Sequence, residues 1–164
     1  MTKARQNKRG FTLIEMLLVI VIIAILVALL FPAIKQALIK AETAKAKTTV
    51  LSIATAFKAF NSQYGYWPKG ASCSPQPMTT TILNDTDNPL GITFLDYSQK
   101  DINSSLQILD PWKQPYQFSC DMNYNNNSAI TNCAGTGGSG TIKGGVAVWS
   151  IGPDGACGTS ITSW

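Results

Sequence analysis

Glu15 is the residue whose chemistry is hardest to explain by packing alone. It is the single charge in the aliphatic run from Phe11 to Phe31, FTLIEMLLVIVIIAILVALLF. An acid at the centre of a bilayer costs on the order of 2.5–3.5 kcal/mol on insertion scales; near the edge the cost is smaller but has the same sign. Two readings are open on the residue by itself. Glu15 sits in the headgroup zone and favours a helix N-terminus through the dipole, or its charge is kept for a function.

The other chemistry-bearing residues are Cys73, Cys120, Cys133 and Cys157, all in the polar second part of the chain. There is no His and no C-x-x-C pair, which argues against a zinc site of the usual kind. Beyond a membrane segment, four cysteines point to two disulfides in an oxidising compartment. Three connectivities are open. The expected one is Cys120–Cys133 as a local clasp with Cys73–Cys157 as a long-range staple; four buried thiols are the other reading. No catalytic constellation is present. The Asp residues are scattered through turn contexts, and GTGGSGT around Ser139 does not match G-x-S-x-G. Aromatics such as Tyr66, Trp67, Trp112, Tyr116, Trp149 and Trp164 could stack on bases or sugars, but at turn and strand positions they read as core and lid residues.

The elements that hold these residues follow from composition and periodicity. Residues 1–10 are short and basic, with Lys3, Arg5, Lys8 and Arg9 and no acid. The formal charge of +4 therefore resides in this leader, and the remainder is close to neutral. The remainder is itself divided into a stem bearing Lys35, Lys40, Lys45, Lys47 and Lys58 and a mildly acidic head. No contiguous basic face suited to nucleic acid results. The aliphatic run, at about 1.5 Å per residue, is long enough to cross a hydrocarbon core. The basic leader ahead of it predicts a cytoplasmic N-terminus. The run is too long for a secretory signal peptide and has no A-x-A-like exit. It passes instead into an Ala- and Lys-rich stretch where Val50, Ile53, Phe57, Phe60 and Tyr64 recur every three or four residues, the stripe of an amphipathic helix.

One helix is expected from about Phe11 to Asn61, kinked or short of one hydrogen bond at Pro32 and ended by Gly65, Pro68 and Gly70. Residues 66–90 read as a loop. YQFSC at 116–120 and GVAVWSI at 145–151 read as strands, and residues 123–140 between them as an exposed Gly-rich excursion. The fold class is α+β: a long N-terminal helix, with a transmembrane half and an amphipathic half, packed on a small antiparallel sheet. The expected divisions are a leader at 1–10, a membrane helix at 11–34, an amphipathic helix at 35–61 and a head at 62–164.

The junction Lys8-Arg9-Gly10-Phe11-Thr12-Leu13-Ile14-Glu15 resembles the type III signal sequence of type IV prepilins and type II secretion pseudopilins: a basic leader, Gly, then Phe-Thr-Leu-Ile-Glu and a long aliphatic run. The resemblance implies cleavage between Gly10 and Phe11 by a prepilin peptidase and N-methylation of Phe11. It also implies that Glu15 pairs with the Phe11 amine of a neighbouring subunit and so sets the register of a filament. Pro32 matches a recurrent proline of the family. In the head, Asp110-Pro111-Trp112-Lys113-Gln114-Pro115-Tyr116 and Trp149-Ser150-Ile151-Gly152-Pro153-Asp154-Gly155 resemble segments of major pseudopilins, with Lys113 where those proteins usually carry Gly. There the second segment opens a calcium-binding loop. Here no acid follows Asp154, and Cys157 stands in that stretch, so a disulfide in place of the metal and no cofactor are expected, with calcium at Asp154 as the other reading.

The implied function is a structural subunit of a type II secretion pseudopilus; the alternative is a subunit of an extracellular type IV pilus. No enzyme activity is expected. The implied partners are copies of the same chain, minor pilins or pseudopilins, the peptidase, and an inner-membrane assembly platform with its ATPase. The implied location is the bacterial inner membrane with a periplasmic head, followed by a filament. An anchored binding module that never assembles is the contrasting reading and would keep its leader.

Overall fold

The computed structural model describes residues 10–71, 74–83, 88–130, 140–153 and 160–164. Helix α1 spans Leu13–Tyr64, with Pro32 inside it. Proline has no N–H to give to the carbonyl four residues back, and the helix continues through it all the same. At the far end Gly65 takes a left-handed φ of 77°, and its N–H bonds the Asn61 carbonyl at 2.7 Å. This is a glycine helix stop.

The chain divides into two compact units, Met1–Lys40 and Ala41–Trp164. In the first, the described residues form the aliphatic part of α1, and every residue from Gly10 to Lys40 is exposed. The second holds the remainder of α1 and, among the described residues, six strands in the order β1 (Gln76–Pro77), β2 (Gln117–Cys120), β3 (Asn127–Ile130), β4 (Gly140–Lys143), β5 (Val146–Ser150) and β6 (Ile161–Thr162), with a 3-10 turn at Gln99–Asp101. Strands β1-β2-β5-β6 form one antiparallel sheet, and β3 and β4 form a separate hairpin. The central register sets Phe118 opposite Val148 and Cys120 opposite Val146.

The amphipathic stripe is the core face of the helix. Val50, Ile53, Phe57 and Phe60 are fully buried, against Tyr116, Phe118, Val146 and Val148 of the sheet side. The Phe57 and Phe118 rings stack with centroids 4.7 Å apart. The long helix packed on a small antiparallel sheet is the α+β architecture expected.

Two segments differ from expectation. The stretch 123–140 is not only an exposed excursion, because it contributes β3 and the first residue of β4. Ser128 and Ile130 are buried, and Ile130 with Ile142 packs on Ala147 and Trp149. The reason lies in β5, all five residues of which are buried. Val146 and Val148 face the helix, so Ala147 and Trp149 face the other way and need their own cover. An unbroken apolar strand was the signal that both faces are covered. The 66–90 stretch likewise is not a plain loop. It supplies β1, which pairs with β2, and it buries Met78, Ile82 and Leu83. Among the aromatics, Trp67, Tyr116 and Trp149 are buried, whereas Tyr66 and Trp164 are exposed. Gly145 lies against Trp67 so closely that an added Cβ would fall 2.8 Å from the indole ring.

Burial pushes the Tyr116 phenol up to about 12; a side-chain hydrogen bond with Thr49 opposes the rise, and the Asp110 and Asp101 carboxylates add to it. The folded value exceeds the unfolded value of about 10. The stabilisation linked to this phenol is therefore complete below about pH 10 and is lost as pH rises through about 12. Tyr116→Phe is expected to flatten this part of the alkaline stability profile, measured by urea unfolding of the full chain in detergent between pH 9 and pH 12. An unchanged slope would remove Tyr116 as its source.

Candidate functional site

Two constructions stand out, one in each unit. The first is the start of α1. Thr12 precedes the helix and Glu15 lies in its first turn. The Thr12 backbone N–H donates to Glu15 Oε2 at 2.8 Å, and the Thr12 hydroxyl donates to the same oxygen at 2.7 Å. The Glu15 N–H is 3.3 Å from Thr12 Oγ1. This is a reciprocal capping box, in which the side chains at N-cap and N3 satisfy backbone donors at the helix start. At the helix start the sequence points to Glu15 through the dipole, and a cap was not among the roles read for it. The T-x-x-E spacing of Thr12 and Glu15 was the available signal.

Both bonds to the carboxylate fall on Oε2, and among the described residues Oε1 accepts none. The carboxylate is thus held at the helix start, next to Phe11, with one oxygen still available. Gly10 and Phe11 are both exposed, Phe11 at 76 %. The helix that follows is long and apolar enough to cross a membrane by length and composition.

The second construction joins the two head segments. Asp110 is buried, at 2 % exposure. Its Oδ1 accepts the N–H groups of Trp112 at 3.0 Å and Gln114 at 2.8 Å, which closes the turn around Pro111. Its Oδ2 accepts the Ser150 hydroxyl at 2.6 Å. Ser150 Oγ in turn accepts the Gly152 N–H at 3.1 Å, where Gly152 has φ 92°. The D-P-W and S-x-G segments, singled out separately in the sequence, are therefore one network. The Trp112 indole N–H adds a link to Glu42 of the helix at 3.1 Å. The sequence places Asp110 in the D-P-W segment but gives it no role in a network. An Asp before Pro at a turn start is the residue type that accepts the turn's own N–H groups, but nothing local reveals a partner 40 residues later.

In this turn Lys113 carries φ 69°. A side chain in the left-handed region costs about 1–2 kcal/mol, and glycine there loses roughly 0.5–1 kcal/mol more chain entropy on folding. Lys113 is exposed. Lys113→Gly is therefore expected to stabilise the head by about 0.5–1 kcal/mol, read as a higher urea midpoint at unchanged slope. A lower midpoint would refute the strain.

Of the cysteines, Cys120 lies on β2 and is buried. Cys73, Cys133 and Cys157 lie outside the described residues, as does Asp154, on which the calcium question rests.

The geometry defines a class of protein: an exposed apolar helix, begun by a Thr-Glu cap, leading into a small helix-on-sheet head. Residues 5–31 match the family described as the prokaryotic N-terminal methylation motif. The type II secretion system core protein G of Pseudomonas aeruginosa is 30% identical over 114 residues, covering 70% of this chain and 75% of that protein. No solved structure matches. The chain belongs to the type IV pilin-like family, together with this major pseudopilin.

Proposed function

We propose that this protein is a structural subunit of a type II secretion pseudopilus. It is inserted in the inner membrane through α1, with the head in the periplasm. Cleavage between Gly10 and Phe11 and methylation of the new amine prepare it, and it then polymerises through α1 with copies of itself, aided by minor pseudopilins and an assembly platform. The observation that carries this reading is the 30% identity to core protein G over 114 residues, a span too long to lie within the aliphatic run alone. The exposure of every residue from Gly10 to Lys40 supports it. An aliphatic surface of that length needs lipid first and other helices later.

The test is the intact mass of the membrane and filament forms from the native host, with fragmentation of the N-terminus, beside the secreted proteins of a deletion strain. A chain beginning at methylated Phe11, with secretion lost in the deletion and restored by the gene, is expected. An uncut leader in cells with an active prepilin peptidase overturns the reading.

A further inference from the structure

The outer face of the head's helical segment carries a groove of about 540 Å³ between Thr48–Ala59 and Phe94–Asp96. Its lining looks half polar in sequence, but the hydroxyls are turned inward. Thr48 donates to the Ala44 carbonyl at 3.0 Å, Ser52 to Thr48 at 3.0 Å and Thr55 to Leu51 at 2.8 Å. What faces the groove is mostly hydrocarbon, with Leu51, Phe94 and Leu95 among its lining. One charge stands at the rim, Asp96, which is exposed. Among the described residues the ion pair formed is Lys45–Asp101, and Asp96 has no cation within that range.

Thr48, Ser52, Thr55 and Ala59 follow steps of four, three and four, a row of the kind into which another helix packs its ridge. The same chain offers that ridge. Val27, Phe31, Ile34 and Leu38 have the identical steps and are all exposed. Lys35 flanks them, its Nζ 4.6 Å from the Phe31 ring centroid, with no carboxylate in ion-pair range among the described residues.

We propose that the groove receives the Val27–Leu38 ridge of a second copy of this chain, with Lys35 of that copy pairing with Asp96 at the rim. The proposal rests on the filament reading and deepens it. Copies inserted in one membrane with one topology lie parallel, so the two rows run alongside each other and Ile34 of one copy falls near Thr55 of the other. The charge match fixes which row docks. The neighbouring surface of α1 between Leu13 and Leu26 is equally apolar but has no cation to give.

The test uses the full chain in cells that assemble filaments. Ile34→Cys with Thr55→Cys in one chain is expected to give a ladder of subunit multiples on oxidation of sheared filaments, absent from either single variant. Asp96→Lys is expected to lower filament yield at least about tenfold through like-charge contact with Lys35, as is Lys35→Asp, and the two together to restore it. The tryptophan emission of each variant checks that the head is folded. If wild-type filaments form but the cysteine pair gives no ladder, or Asp96→Lys assembles like wild type, the groove proposal falls and the filament reading stands. A cross-linked product that is not a multiple of the subunit mass puts another protein in the groove and overturns the proposal. If the wild type forms no filament and keeps its leader, both readings fall.

Discussion

Asp110→Ala is expected to destabilise the head by about 3–5 kcal/mol, enough to unfold a marginal domain. The carboxylate accepts two turn N–H groups and the Ser150 hydroxyl at 2.6–3.0 Å in a site that is 2 % exposed. Removing it leaves three donors without their acceptor where water does not readily replace it, and each such loss costs about 1–3 kcal/mol. Asp110→Asn separates geometry from charge. The amide keeps an acceptor for the turn N–H groups, and its NH₂ can donate to Ser150 Oγ. It should therefore cost less, about 1–2 kcal/mol. Ser150→Ala removes the bond to Oδ2 and the acceptor for Gly152, and should fall between the two. The measurement is urea unfolding of the full chain in detergent, followed by tryptophan emission. Equal midpoints for wild type and Asp110→Ala would show that the network holds nothing together.

That network also marks the limit of what was legible in the sequence. The helix could be read because its signals are local and repeated: Val50, Ile53, Phe57 and Phe60 each face the sheet for the same periodic reason, and Gly65 ends the helix by its own φ. Strands β2 and β5 were legible because aromatic and β-branched residues cluster between turn residues. The hairpin β3–β4 was not, since NSAI and GTIK carry little apolar pattern and are held by burying Ile130 and Ile142 on Trp149. Their identity as strands comes from what lies beneath them. Met78 and Leu83 were passed over for a similar reason: they are single apolar residues between prolines, threonines and asparagines, and their burial follows from where β1 and the Ile108 segment lie. Asp110 could be assigned to a turn, but its partner Ser150 is fixed only by tertiary structure. At Lys113 the resemblance did carry information, because a position usually held by glycine proves to have a positive φ.

Glu15→Gln is expected to abolish filament assembly nearly as fully as Glu15→Ala, and the comparison decides what Glu15 is for. As a cap, Glu15 needs only an acceptor oxygen for the Thr12 N–H and hydroxyl, at 2.8 and 2.7 Å, and glutamine keeps one. As a counter-charge to a Phe11 amine inside a filament, it needs its negative charge, and glutamine has none. An unpaired charge in a low-dielectric core costs about 3–5 kcal/mol, which weakens each subunit contact at least about a hundredfold. Losing the cap alone costs about 0.5–2 kcal/mol and mainly frays the first turn. On the filament reading, then, both variants should be cut and membrane-bound, and neither should appear in the sheared filament fraction. Thr12→Val, which loses the hydroxyl and keeps the backbone N–H bond, should assemble at close to the normal level. If Glu15→Gln assembles like wild type while Glu15→Ala does not, the carboxylate serves as a helix cap and the charge-pair role is wrong. If both assemble, Glu15 has no part in register, and the apolar surface of α1 must set it unaided.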